Sequence, residues 1–443
     1  MTLRVTRQRL DGGLRVLVLE LPHLHSVTLA FMVKAGPRFE TPEQNGVSHM
    51  VEHLLLRGTE LHPTSFALSS AIEVLGGDIN GLTQRDAMTI HMSVPGRAAE
   101  AALGILGEIV TLSKLEGLDI ERKVVLEELL DTLDRRGLET DPDALSRLAL
   151  WRGHPLGMPV AGTRTTVTAI DDTSCHTHAD RILCAENAVL CVVGPVDPQA
   201  ILRTAGQAFA ELPRGTTLPS GAKPDCPINP PIQIQTTDDA QATLLFSFPA
   251  PHENDPSFVK LLLLRRLLDD GFASRLRQEV CESRGLAYSL SAGVDAYEDA
   301  AAFDVEVTCA PSNVAVTTQI ILDTLWNARA APVSAEELAR ITARHRSELE
   351  MALDDPDEMA SWLGATELMG YSSGYEDRIN EAMTVTGDEL TRLAEEILRP
   401  ERCLLTVVGP ARRSVRKLER LLGRAAGSTR SLSAKGTGVG ARS

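Results

Sequence analysis

The stretch Asn45-Gly-Val-Ser-His-Met-Val-Glu-His-Leu-Leu-Leu-Arg-Gly58 carries His49, Glu52 and His53 inside one apolar-periodic run. On a helix, positions i, i+3 and i+4 share a face, so the three side chains project together. Two imidazoles one turn apart can share a Zn²⁺, and a carboxylate beside them can take the proton of a water that the metal activates. The run predicts an amphipathic helix of about three turns, stopped by Gly58. The bland counterpart is a half-buried helix whose two histidines only make hydrogen bonds. A third ligand decides between them.

A catalytic zinc takes three protein ligands and leaves a fourth position open. The helical pattern Ile120–Leu133 contains Glu121-Arg-Lys-Val-Val-Leu-Glu-Glu128. Glu121 and Glu128, seven apart, lie about two turns along one face, whereas Glu127 is rotated away. Spacing alone also describes a solvated acidic helix surface. That question stays open at this level.

Other elements must position these residues. Leu14–Glu20 and Val27–Lys34 read as strands, the second ended by Gly36-Pro37. A helix is expected over about Ser65–Leu75, and Gly76-Gly77 then opens a hairpin of Asp78–Thr83 and Ala87–Val94. In its second arm Met88, Ile90 and Met92 alternate with Thr89, His91 and Ser93, which gives one apolar face. His91 is read as a polar-face strand residue rather than a ligand. A further helix is expected over Arg97–Leu112.

Ile182–Pro195 aligns without gaps on Ile397–Pro410, with eight of fourteen columns identical. Self-similarity at half the chain length means duplication of a whole domain. Between the copies, 213–231 holds six prolines and reads as an extended linker. The expected domains are 1–212, which binds the metal, and 232–424, its non-metal copy, followed by a disordered basic tail at 425–443. The second half opens with strands Ile232–Thr236 and Thr243–Phe248 and a helix Phe258–Asp269 that carries no histidine. One zinc per chain follows.

Composition bounds the partners. The chain of 443 residues has a net charge of −16, and 411–443 carries nine Lys or Arg against Glu419 alone, which leaves the remainder near −24. An acidic body argues against nucleic acid and suits basic peptides. No apolar run reaches the ~18 residues of a membrane span, and the N-terminus has no signal core, so no membrane and a cytoplasmic location are expected. The seven cysteines form no CxxC pair and read as reduced thiols, mostly buried.

Taken together, these residues resemble the pitrilysin and insulinase group of inverzincin zinc peptidases, in the two-domain branch with the mitochondrial processing peptidases. The resemblance runs from Leu14 to Pro410 through His49-Met-Val-Glu-His53, Arg57-Gly-Thr59, Leu75-Gly-Gly-Asp-Ile-Asn80-Gly-Leu-Thr83, Glu121 to Glu128, His154-Pro-Leu-Gly157, Gly162-Thr163 and Asn187 to Gly194. It implies an α+β fold: two duplicated domains, each a mixed, largely antiparallel sheet with helices on one face, forming a clamshell. It implies His49, His53 and Glu128 as zinc ligands, Glu52 as general base and Glu121 orienting a ligand. A peptide would pair as an extended strand with the edge Asn80, Gly81, Leu82 and Thr83. Family members usually bring an Arg and a Tyr from the second half. Tyr288 is in place, but the Arg position is Cys281, so Arg284, Arg277 or a partner subunit must substitute.

The expected function is a zinc metalloendopeptidase acting on peptides or presequence-like segments, as a homodimer or a heterodimer with a related subunit. The alternative is a non-catalytic peptide-binding or scaffold subunit of the same fold. A peptide-binding module with a structural zinc is the weakest reading, because structural sites close with a fourth protein ligand.

Overall fold

The computed structural model describes residues 3–226, 228, 231–371 and 374–423. The expected tail at 425–443, and Pro227 and Pro230 of the linker, lie outside these residues. Two sheets and many helices build an α+β chain of two compact units.

The first unit comprises residues 1–131, 153–223 and 348–372. Its strands are β1 (Val5–Arg9), β2 (Arg15–Glu20), β3 (Ser26–Val33), β4 (Asp78–Thr83), β5 (Met88–Pro95) and β6 (Ala188–Gly194), in the order β1-β2-β6-β3-β5-β4. The parallel pair is β2 with β6, while β3 runs antiparallel to both β6 and β5. The expected hairpin forms, with Asn80 opposite His91 and Gly81 opposite Ile90. Met88, Ile90, Met92 and Val94 enter the core with Val27, Leu29, Phe31 and Val33, and the helices Val47–Leu55 and Ala99–Leu112 cover that face.

The second unit comprises, of the described residues, those of 132–152, 224–347 and 374–423. Its strands are β7 (Ile232–Gln235), β8 (Ala242–Pro249), β9 (Ala287–Ala296), β10 (Ala301–Cys309) and β11 (Leu404–Val408), ordered β7-β11-β8-β10-β9. The repeat strand again forms the parallel pair with a neighbour, here β7 with β11. The two copies of the repeated sequence therefore become the corresponding central strands β6 and β11, both buried along their whole length.

The units are not the contiguous halves that the sequence led us to expect. Helix Pro142–Leu150 packs on β8 and β11 of the second unit, and helix Pro356–Met369 packs on β3 and β6 of the first. Each covers the sheet face that the other helices leave bare, so both faces of the central strands are buried and read as unbroken apolar runs. At Gly364 the second helix approaches so closely that an added Cβ would lie 2.1 Å from the Met32 sulfur. Nor is the linker free throughout: Ala185 and Glu186 donate to the carbonyls of Pro213 and Arg214, and Leu218 donates to Asn187 Oδ1, so its first part is laid on the first unit.

Two local readings also change. The motif helix starts at Val47, after Gly46 at φ +96°. The helix is capped at Leu56, two residues before Gly58, which stands at φ +142°; a Cβ there would meet the His62–Thr64 backbone at 2.9 Å, so close approach demands the glycine.

Candidate metal centre

Helix Val47–Leu55 buries Met50, Val51, Leu54 and Leu55 in the core and presents His49, Glu52 and His53 on another face. Helix Leu118–Asp131 packs beside it, anchored by Leu118, Val125 and Leu129. The two His Nε2 atoms stand 3.2 Å apart. Glu128 brings one carboxylate oxygen to 3.7 Å from His53 Nε2 and the other to 3.8 Å from His49 Nε2. One ligand atom from each of the three residues lies within 4.8 Å of the others.

Glu121, on the same face of its helix, points elsewhere. Its Oε2 accepts the His53 Nδ1 proton at 2.9 Å, and its Oε1 pairs with Arg57 Nη1 at 3.1 Å. With Nδ1 donating to Glu121, His53 Nε2 presents its lone pair to the cluster. Burial, aided by the proximity of His53, pulls the His49 pKa down to about 4, so this imidazole is neutral near pH 7. Nitrogen and carboxylate acceptors converging on one point repel each other unless a cation lies among them. Two imidazole nitrogens with one carboxylate, and no fourth side chain among the described residues, match the donor set of an open zinc site. The residues fit the metal.

Glu52 is buried, and its Oε2 accepts the Thr83 hydroxyl at 2.5 Å. Burial raises its pKa, with the Thr83 hydrogen bond opposing. An added Cβ at Gly81 would fall 2.6 Å from Glu52 Cγ and Oε1, so only glycine lets the carboxylate lie against β4. β4 is the last strand of its sheet, and along it Asn80 and Leu82 are exposed while Gly81 and Thr83 face Glu52. His91 pairs across from Asn80 and does not join the cluster.

The second-half residues stand in the second unit. Tyr288, on the edge strand β9, is 97% exposed. Arg284 is held to Glu279 through that residue's carboxylate and, at 2.7 Å, its carbonyl. Arg277 donates to the Leu290 carbonyl at 2.7 Å and to Asp269 at 3.3 Å. Cys281 packs half-buried against the second core, which raises its thiol pKa.

Sequence reading missed the contacts that hold this frame. Arg85, at the turn after β4, is buried and donates to the carbonyls of Leu156 (3.1 Å) and Met158 (2.7 Å), which gives His154-Pro-Leu-Gly157 its purpose. Gly46 and Gly162 back onto each other, a Cβ on either meeting the other segment's backbone within 2.8 Å. The available signal was the glycine in each motif, but no local pattern says what a glycine approaches.

Residues 15–164 match the family model Insulinase (Peptidase family M16), and 176–344 match Peptidase M16 inactive domain. An uncharacterized zinc protease of Mycobacterium leprae is 30% identical over 416 residues, covering 92% of each chain. Among solved structures, a protease from Helicobacter pylori superposes with a TM-score of 0.84 at 18% identity, over 93% of this chain and 100% of that one. A chain of Complex III2 from Candida albicans does so with a TM-score of 0.77 at 16% identity, over 94% and 100%. The fold is common to all of these, and matches to both halves together with the near full-length relative show that the chain belongs to the insulinase-type M16 peptidase family.

Proposed function

We propose that the chain is a zinc metalloendopeptidase that cuts a peptide lying as an extended strand along the free edge of β4. His49, His53 and Glu128 hold the metal. A zinc ion there supplies Lewis acidity to the scissile carbonyl and lowers the pKa of a water. Glu52 takes the water proton and returns it to the leaving amine; its raised pKa brings a carboxylate closer to the range in which both steps proceed near neutrality. Glu121 keeps His53 in the tautomer that binds metal. Main-chain groups around Asn80 and Leu82 pair with the peptide, which gives affinity with little sequence demand.

In the second unit Tyr288 offers a hydroxyl to a substrate carbonyl. Arg277 and Arg284 each have two anchors, but the Arg284 pair with Glu279 is half-exposed and screened by water, so Arg284 is the better stand-in for the family cation. A related subunit in a homodimer or heterodimer is the other source. The observation that carries the reading is the convergence of two imidazole nitrogens and the Glu128 carboxylate beside Glu52 and an open strand edge. The scaffold alternative draws on the likeness to the Complex III2 chain, but a scaffold has no use for four converging polar groups at a strand edge.

The test is elemental analysis and cleavage of a quenched peptide library by the purified chain, alone and with a related subunit. Glu128→Gln should lose zinc, whereas Glu127→Gln, on the exposed face, should keep both zinc and activity. Cleavage by neither preparation, with zinc bound, would leave the scaffold reading in possession.

A further inference from the structure

The motif helix has no side-chain cap of the ordinary kind, since Gly46 stands at its N-cap. The first N–H groups of a helix still need acceptors, above all where they are buried. Here one carboxylate supplies two of them from outside the helix. Glu40 is 6% exposed; its Oε2 accepts from Gly46 N at 2.8 Å and from Asn45 Nδ2 at 3.0 Å, and its Oε1 accepts from Ser48 N at 2.8 Å. Asn45 Nδ2 also donates to the Pro159 carbonyl at 2.9 Å, which ties the cap to the loop that Gly46 and Gly162 bring into backbone contact. On the other side Ser48 Oγ accepts from Gly36 N at 2.8 Å and reaches His178 Nε2 at 2.8 Å. The segment that carries Glu40 also holds the far end of the peptide edge, because Arg38 N donates to the Arg85 carbonyl at 2.9 Å in the turn after β4.

We propose that Glu40 is a positioning residue: its buried carboxylate caps the motif helix and holds His49, Glu52 and His53 in register with Glu128 and with the β4 edge. The inference rests on the metal reading above. A binding constellation must be held within about 0.5 Å of its productive geometry, so a small slide of the helix away from Glu128 spoils the site without unfolding anything. Negative charge at a helix N-terminus is also stabilised by the positive end of the dipole, which favours this acceptor over a neutral one. Glutamine at 40 keeps the shape but turns one acceptor into a donor, which then faces N–H groups.

The experiment measures zinc affinity by chelator competition, and the visible spectrum of the cobalt-loaded protein, well below the melting temperature. Wild type is compared with Glu40→Gln, Glu40→Asp and Leu202→Ala, the last a core truncation in a helix that plays no part in the site. Glu40→Gln should bind zinc about tenfold more weakly, at the lower end of the range for residues that orient ligands, with an altered cobalt spectrum. Glu40→Asp, which keeps the charge but draws it back, should fall between, and Leu202→Ala should lose thermal stability with wild-type affinity and spectrum. Wild-type affinity and spectrum in folded Glu40→Gln overturn the proposal; if that variant does not fold, the same result in Glu40→Asp overturns it. Failure of the wild type to bind zinc brings down the metal reading instead.

Discussion

The first and second units carry one strand order, β2-β6-β3-β5-β4 in one and β7-β11-β8-β10-β9 in the other, yet the helix that follows β3 differs entirely from the helix that follows β8. Val47–Leu55 offers His49, Glu52 and His53 outside its core stripe. Phe258–Leu268 buries Leu261, Leu263, Leu264, Leu267 and Leu268 and even hides Arg266, which pairs with Asp270 at 2.9 Å. The edge strands differ in the same way: β4 has Gly81 where Glu52 lies, whereas β9 sets Tyr288 out into solvent. A duplicated scaffold thus tolerates either kind of helix, because strand pairing and the apolar stripe carry the fold. The chemistry resides in a handful of polar positions that packing does not require.

The sharpest way to break the comparison is Glu52→Gln, which should make the first unit as inert as the second while it keeps its metal. Peptide cleavage should fall by about 10²–10⁴-fold with zinc content unchanged, and retained activity in the zinc-loaded variant would sink the assigned base. Next in size is a change in the second unit. Arg147, on the helix donated from the first half of the sequence, is 2% exposed and bonded to Asp304 (2.5 Å), Asp295 (2.8 Å) and Asp143 (3.0 Å). Burial alone would lower its pKa, but the three carboxylates hold it well above the ordinary value. Arg147→Met removes the buried cation that those carboxylates share and should cost about 3–5 kcal/mol in denaturant unfolding, with zinc affinity untouched in the native protein.

A smaller effect separates the units by pH. His178, buried behind the motif helix, has its pKa lowered by burial, and secondarily by Arg181, to about 4. The unfolded chain takes up this proton near pH 6.5 and the fold only near 4, so zinc-free stability should fall as pH drops through that window and level off below it. The slope for one such group is about 1.4 kcal/mol per pH unit. His178→Gln should remove its share of the slope but leave that of His49, as read by urea unfolding of zinc-free protein from pH 7 to 4. An unchanged slope would contradict the buried neutral imidazole. The smallest effect is Tyr288→Phe: loss of one substrate hydrogen bond should lower kcat/KM by up to about tenfold with zinc content unchanged. An equal kcat/KM would remove Tyr288 from the substrate.

Much of this molecule could be read from local pattern. The i, i+3, i+4 spacing put His49, Glu52 and His53 on one face, and the alternation from Met88 to Val94 gave the hairpin its apolar side. The match of 182–195 with 397–410 marks the two central strands. Helical and strand periods are short-range constraints, so residues a few positions apart report them faithfully. Tertiary structure decided the rest. Glu121 and Glu128 share a face, and only the packing of two helices sent one to His53 Nδ1 and the other to both Nε2 atoms. The exchange of Pro142–Leu150 and Pro356–Met369 left no trace in their sequences, because an apolar stripe does not specify which sheet it will cover. Nor did Glu40 resemble a cap, six residues before Gly46, since the loop between them had first to fold back on the helix. Contacts between segments distant in the chain depend on the whole packing, and no window of sequence contains it.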